Sequence, residues 1–167
     1  LDPAKVASLL QLPMGSRETL EVIGHAGEEA AVQCMESLGF EVAWPNRFQE
    51  TAWPFDIVLK RRAHGLGKLS ALFRTRGSEA MEQDRKALQE LLEKDPEVVV
   101  AEVKASLAQN EGLFDISTAQ VALARQLGSR FWLIKVQNLG GPVASADVLQ
   151  DLESALLEGL VRLVLVA

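Results

Sequence analysis

Residues 98–104 read Val-Val-Val-Ala-Glu-Val-Lys, and this run limits the fold more than any other in the chain. Its apolar start predicts a strand. Alternation puts Val98, Val100, Glu102 and Lys104 on one face, with Val99, Ala101 and Val103 on the other. An apolar strand therefore ends in two opposite charges standing side by side. Charges at the tip of a buried strand are costly unless they are paired or bound to a metal. A second carboxylate stands on an earlier run. Residues 55–60, Phe-Asp-Ile-Val-Leu-Lys, predict a strand on which Asp56 points away from Phe55, Ile57 and Leu59.

The surrounding pattern alternates helix and strand. Residues 27–38 predict a helix with Ala31, Val32, Met35 and Leu38 on one face. Glu29, Gln33 and Glu36 occupy the opposite face, Glu28 falls on the apolar side, and Gly39 closes the helix. Whether 17–24 join this helix or break at Gly24 stays open. Strands are predicted at 40–44, 55–60, 98–104 and 131–136. Helical spacing recurs over 79–94 through Met81, Leu88, Leu91 and Leu92. Ser117 or Thr118 can cap a helix that runs to Leu127 and closes at Gly128. After the Gly140-Gly141-Pro142 turn, a helix at 147–157 precedes a last apolar strand at 160–166. The expected organisation is an N-terminal helical segment (1–23) and an α/β domain (24–167), with an insertion at about 61–96.

Length and composition exclude several classes. The chain has 167 residues, 48% hydrophobic and 24% charged, which suits one globular domain. The single cysteine, Cys34, excludes an internal disulfide framework and a multi-cysteine zinc site. It reads as a core filler. Apolar runs fall far short of the roughly 20 residues that a membrane helix needs, and no signal-peptide pattern opens the chain. No membrane association and a cytoplasmic location are the expectation. Leu1 at the start leads us to expect a domain of a larger protein. Neither a G-x-G-x-x-G, a P-loop nor a G-x-S-x-G sequence is present.

The net charge of −6 is unevenly spread. Lys60, Arg61, Arg62, Lys68, Arg74 and Arg76 fall in one stretch that holds no acid. Attached to the strand of Asp56, they read as candidate phosphate contacts. His25 reads as a capping or loop residue, His64 as a solvated one, and Trp53 as a packing residue.

Pro54-Phe55-Asp56 followed by Glu102-Val103-Lys104 resembles the signature of the PD-(D/E)xK nuclease superfamily. A narrower likeness lies in Gly24-His25-Ala26-Gly27-Glu28, Ala101-Glu102-Val103-Lys104-Ala105-Ser106 and Ile116-Ser117-Thr118-Ala119-Gln120. These segments are similar to the NO VEIN C-terminal-like domain, found also in bacterial helicase and defence proteins. The likeness covers about 24–60 and 98–165. It implies a restriction-endonuclease-like αβββαβ core with a mixed central sheet flanked by helices, followed by a helix and a strand.

The resemblance also implies a chemistry. Asp56, Glu102 and the backbone carbonyl of Val103 would hold Mg²⁺ or Mn²⁺, and Lys104 would orient the attacking water. Glu28 would complete the acidic pocket, Gln120 would turn its amide towards it, and Ser106 would lend a supporting hydroxyl. Gln120 departs from the related family, where Glu is frequent at this position. The implied partners are DNA before RNA, other domains or subunits of a parent protein, and a second copy of the chain. The implied role is that of an effector module in restriction, phage defence or DNA processing. The alternative readings are a nuclease-fold module that binds nucleic acid or protein without turnover, and a pure interaction domain docking through its acidic surface.

Overall fold

The computed structural model describes residues 17–48, 51–62, 67–107, 114–141, 143–159 and 161–164. Most of the predicted N-terminal segment, His64 and the ends of the predicted last strand lie outside these residues.

The first helix among the described residues, α1 (Arg17–Ser37), buries Thr19, Ile23, Ala26, Gly27, Ala31 and Met35 along one stripe. It starts ten residues before the predicted position and runs through Gly24 and across the boundary drawn at residue 23. Gly27 sits against Ala105, where a Cβ would overlap the alanine methyl, so the helix needs glycine there to lie close to the sheet. Gly39, at φ +85°, turns the chain out of the helix into β1 (Phe40–Ala43).

Strands β2 (Ile57–Arg61) and β3 (Val99–Ala105) follow, separated by a 3₁₀ turn at Leu69–Ala71 and by α2 (Ser78–Lys94). Next come β4 (Phe114–Ser117), α3 (Thr118–Leu127), β5 (Phe131–Gln137), β6 (Ser145–Leu149), α4 (Leu152–Leu157) and β7 (Val161–Val164). The main sheet has the order β1-β2-β3-β5-β6. β1, β2 and β3 are antiparallel neighbours, β3 and β5 are parallel, and β6 returns antiparallel to β5. β4 and β7 form a separate parallel pair. The protein is thus mixed α/β, with a five-stranded mixed sheet flanked by helices, as the sequence predicts at that level. No helix among the described residues is long and apolar enough to cross a membrane.

A core fills each face of the sheet. On one face, Ile23, Ala31 and Met35 of α1 pack on Ile57, Leu59, Ala101, Val103 and Ile134. On the other face, Leu88 of α2, Ala124 of α3 and Ala155 of α4 pack with Val58, Val100, Phe131 and Leu133. The segment predicted as an insertion belongs to this second core, because Leu69, Phe73 and Leu88 are buried in it.

Two further expectations are corrected. The helix predicted at 147–157 is a strand followed by a short helix. Residues 145–149 pair with β5, and the Asp151 side chain accepts from the N–H of Ser154 to start α4. Phe55 packs in the second core, away from Ile57 and Leu59, because regular pairing of β2 begins only at Ile57.

Candidate active site

Asp56 lies one residue before β2, where that strand meets β3. Ile57 pairs with Ala101, and the Asp56 N–H donates to the Ala101 carbonyl at 3.0 Å. The side chain then replaces a backbone acceptor: its Oδ2 takes the N–H of Val103 at 2.7 Å. Its Oδ1 accepts from Asn46 Nδ2 at 3.1 Å. Asn46 is itself fixed, since its Oδ1 accepts both the N–H (3.1 Å) and the hydroxyl (2.7 Å) of buried Thr51. A loop amide therefore holds the carboxylate from outside the sheet.

Glu102 is the central acid, 6% exposed. Lys104 Nζ lies 2.6 Å from its Oε1, as expected for two residues on one face of a strand. Asp56 and Gln120 also hydrogen-bond Glu102. Gln120 is the third residue of α3. Its Oε1 accepts the Ser117 N–H at 2.8 Å while Ser117 Oγ accepts the Gln120 N–H, a reciprocal cap of the helix. With its oxygen held there, the amide nitrogen is the group left to donate to Glu102. A glutamate at this position would have no such donor, which gives a physical reason for glutamine.

The electrostatics follow from crowding. Burial, then the charge of Glu102, pushes Asp56 up to about 8. Burial also raises Glu102, opposed chiefly by Lys104. Two carboxylates this dry, one of them raised further by the charge of the other, retain a proton between them near neutral pH.

The other candidates have these surroundings. Glu28 is half-buried and accepts from Trp44 Nε1 at 2.6 Å, with the His25 ring 4.8 Å from the same indole. Among the described residues no three His, Cys, Asp or Glu side chains gather to hold a metal, so Glu28 does not form a three-acid cage with Asp56 and Glu102. Ser106 is buried, and its backbone bonds to Val136 and Leu139. Lys60 is paired with Asp95 (2.6 Å) and Glu97 (3.5 Å). Arg61 lies over the Phe40 ring, and Arg62 reaches the Phe40 carbonyl at 3.5 Å. Lys68 is exposed, Arg74 donates to the Ser70 carbonyl, and Arg76 lies over the Phe48 ring. The predicted basic stretch is therefore split, with its first half engaged against the sheet edge.

Asn46 and Thr51 were not singled out by sequence. They lie in an irregular loop with no periodic signal, and only the pairing geometry places them beside Asp56.

The donor set suits a hard divalent cation. Asp56 and Glu102 offer carboxylate oxygens, and the proton and ammonium between them neutralise charge that a cation would neutralise instead. Mg²⁺ uses one or two protein carboxylates and keeps several waters, so two acids are sufficient. The chain matches no family model, no curated protein and no solved structure.

Proposed function

We propose that the chain is a metal-dependent nuclease domain of the PD-(D/E)xK type, hydrolysing DNA phosphodiester bonds as an effector module of a larger restriction, defence or DNA-processing protein. One observation carries the reading: Asp56, Glu102 and Lys104 converge at the meeting point of β2 and β3, with both acids held against their charge. The succession α1-β1-β2-β3-α3-β5, with β3 and β5 parallel, supports a restriction-endonuclease-like core.

Asp56 and Glu102 would hold Mg²⁺ or Mn²⁺, with the Val103 carbonyl as a further oxygen. The bound ion supplies a polarised phosphate and a water of lowered pKa. The chain does the rest. Asn46 and the Val103 N–H fix Asp56, and Gln120 fixes Glu102. Lys104 presents its ammonium where negative charge gathers on the phosphate.

The test is cleavage of plasmid and linear DNA in Mg²⁺ or Mn²⁺, by the wild type and by Asp56→Asn and Glu102→Gln. Cleavage by the wild type alone supports the reading. DNA binding without cleavage in either metal would replace it with a binding module.

A further inference from the structure

We infer that Arg47 and Arg76, mounted on the ring of Phe48, form a phosphate clamp that grips a nucleic-acid backbone beside the acid pair, without reading bases. The guanidinium carbons of Arg47 and Arg76 lie 5.2 and 5.1 Å from the centre of that one ring. A third arginine, Arg85, lies 5.2 Å over Trp53. None of the three has a carboxylate partner among the described residues. By contrast Lys60, Lys86, Lys94, Lys104 and Arg125 each have one within 3.9 Å.

Two like charges on one ring repel, and a chain of net charge −6 has acids to spare for pairing them. Stacking on an aromatic face fixes a guanidinium plane while leaving its N–H edge free, and that edge suits two phosphate oxygens. A pre-set pair of unneutralised guanidiniums is matched by a polyanion.

The place of the pair is set by covalent neighbours. Arg47 follows Asn46, whose amide donates to Asp56, and both belong to the 3₁₀ turn Pro45–Arg47. Trp53, the ring under Arg85, stacks on Phe55, the residue before Asp56, at 5.1 Å and 28°. The arginines therefore border the acids at the loop that holds Asp56.

The aromatic rings here are already engaged. Trp53 has Phe55 stacked on it, Phe73 edge-on at 6.4 Å and Arg85 over its ring, and Phe48 carries two guanidiniums. A patch built to stack bases would offer open faces. This one offers N–H edges, which contact phosphate and carry no sequence preference.

The choice of a nucleic acid as the polyanion rests on the nuclease reading, so the test measures binding with metal chelated. Fluorescence anisotropy of two labelled DNA duplexes of unrelated sequence would be followed in EDTA over a salt series. The wild type should bind both alike. Arg47→Gln with Arg76→Gln should weaken binding by about tenfold or more and reduce the slope of log affinity against log salt by about two. Both arginines are exposed, and matching circular dichroism and Tm would show the fold intact. No binding by the wild type, wild-type affinity and slope in the variant, or equal competition by polyglutamate would overturn the clamp. Loss of binding in the variant, with no cleavage by the wild type in Mg²⁺ or Mn²⁺, would leave the clamp standing and remove the nuclease reading.

Discussion

Strands β2 and β3 carry a charged cluster at each end, and each cluster holds an ammonium 2.6 Å from a carboxylate. The two clusters behave oppositely. At the far end, Lys60 meets half-buried Asp95 and exposed Glu97 at the protein surface. Its hydrogen bond to Asp95 raises the lysine and lowers the aspartate, so each partner holds the other in its charged form. At the site end, Asp56 and Glu102 are both raised: burial leads in each, the charge of Glu102 adds to it at Asp56, and Lys104 does not outweigh them. Distance alone does not separate a structural ion pair from a site under electrostatic tension; the direction of the shifts does. The far cluster is balanced by itself, whereas the near one gains from another cation.

The sharpest way to break this contrast is to remove one acid. Glu102→Gln should abolish Mn²⁺ binding and reduce DNA cleavage at least about 1000-fold, equivalent to about 4 kcal/mol of barrier. Gel assays with matched folded fractions would measure it. A residual rate near that of the wild type would place the chemistry elsewhere.

Next in size is the loss of the loop strut. Asn46→Ala removes the donor to Asp56 Oδ1 and the acceptor for Thr51. Groups that orient a metal ligand are worth about 10–100-fold in affinity. Calorimetry should therefore show weaker Mn²⁺ binding of that size in a folded protein. Unchanged affinity would reduce Asn46 to a loop tie.

The pH dependence of the metal-free protein sharpens the comparison further. The folded pKa of Asp56, about 8, lies above its ordinary 3.8, so the folded state keeps a proton that the unfolded chain has released. That contribution is complete below about 3.8 and is lost as pH rises through about 8. Each unit is worth about 1.4 kcal/mol, so a decline of the order of a few kcal/mol is expected in EDTA. Asp56→Asn should flatten it in urea melts. The far cluster adds no slope there: the Asp95 contribution is lost only in acid and that of Lys60 only in strong base.

The smallest effect belongs to that far cluster. Lys60→Ala should leave Mn²⁺ affinity unchanged and shift Tm by a few degrees at most, because a pair at the surface, partly open to water, is screened. A large loss of metal affinity would couple the two ends and undo the contrast.

The acids and the lysine were legible in the sequence because strand alternation is local. One strand ending in Glu-Val-Lys and another starting at Asp56 need only pair in register for the three to meet. Gln120 was named only through the resemblance, and its place at the third position of a helix capped at Ser117 is what brings it to Glu102. Asn46, Thr51 and Arg47 were not, because irregular loops have no period and their partners are set by tertiary contact. Glu28 was placed by the face of a helix read as starting at 27. The structure extends that helix back to Arg17 without changing the face of Glu28, whose carboxylate accepts from Trp44 Nε1. β6 was hidden for want of length: Ala146 and Val148 alternate over too few residues to outweigh the helix pattern after them. The basic stretch was read by charge alone, which does not tell Lys60, already paired, from Arg76, stacked and lacking a described carboxylate partner.

The most direct measurement is titration of Mn²⁺ into the wild type, into Asp56→Asn with Glu102→Gln, and into Lys60→Ala, by calorimetry near neutral pH. One or two ions should bind to the wild type and to Lys60→Ala, with release of the proton held by the acid pair, and none to the double variant with its fold intact. Binding that survives in the double variant, or no binding to the wild type at millimolar Mn²⁺, would contradict the claim that this end of β2 and β3 is a cation site.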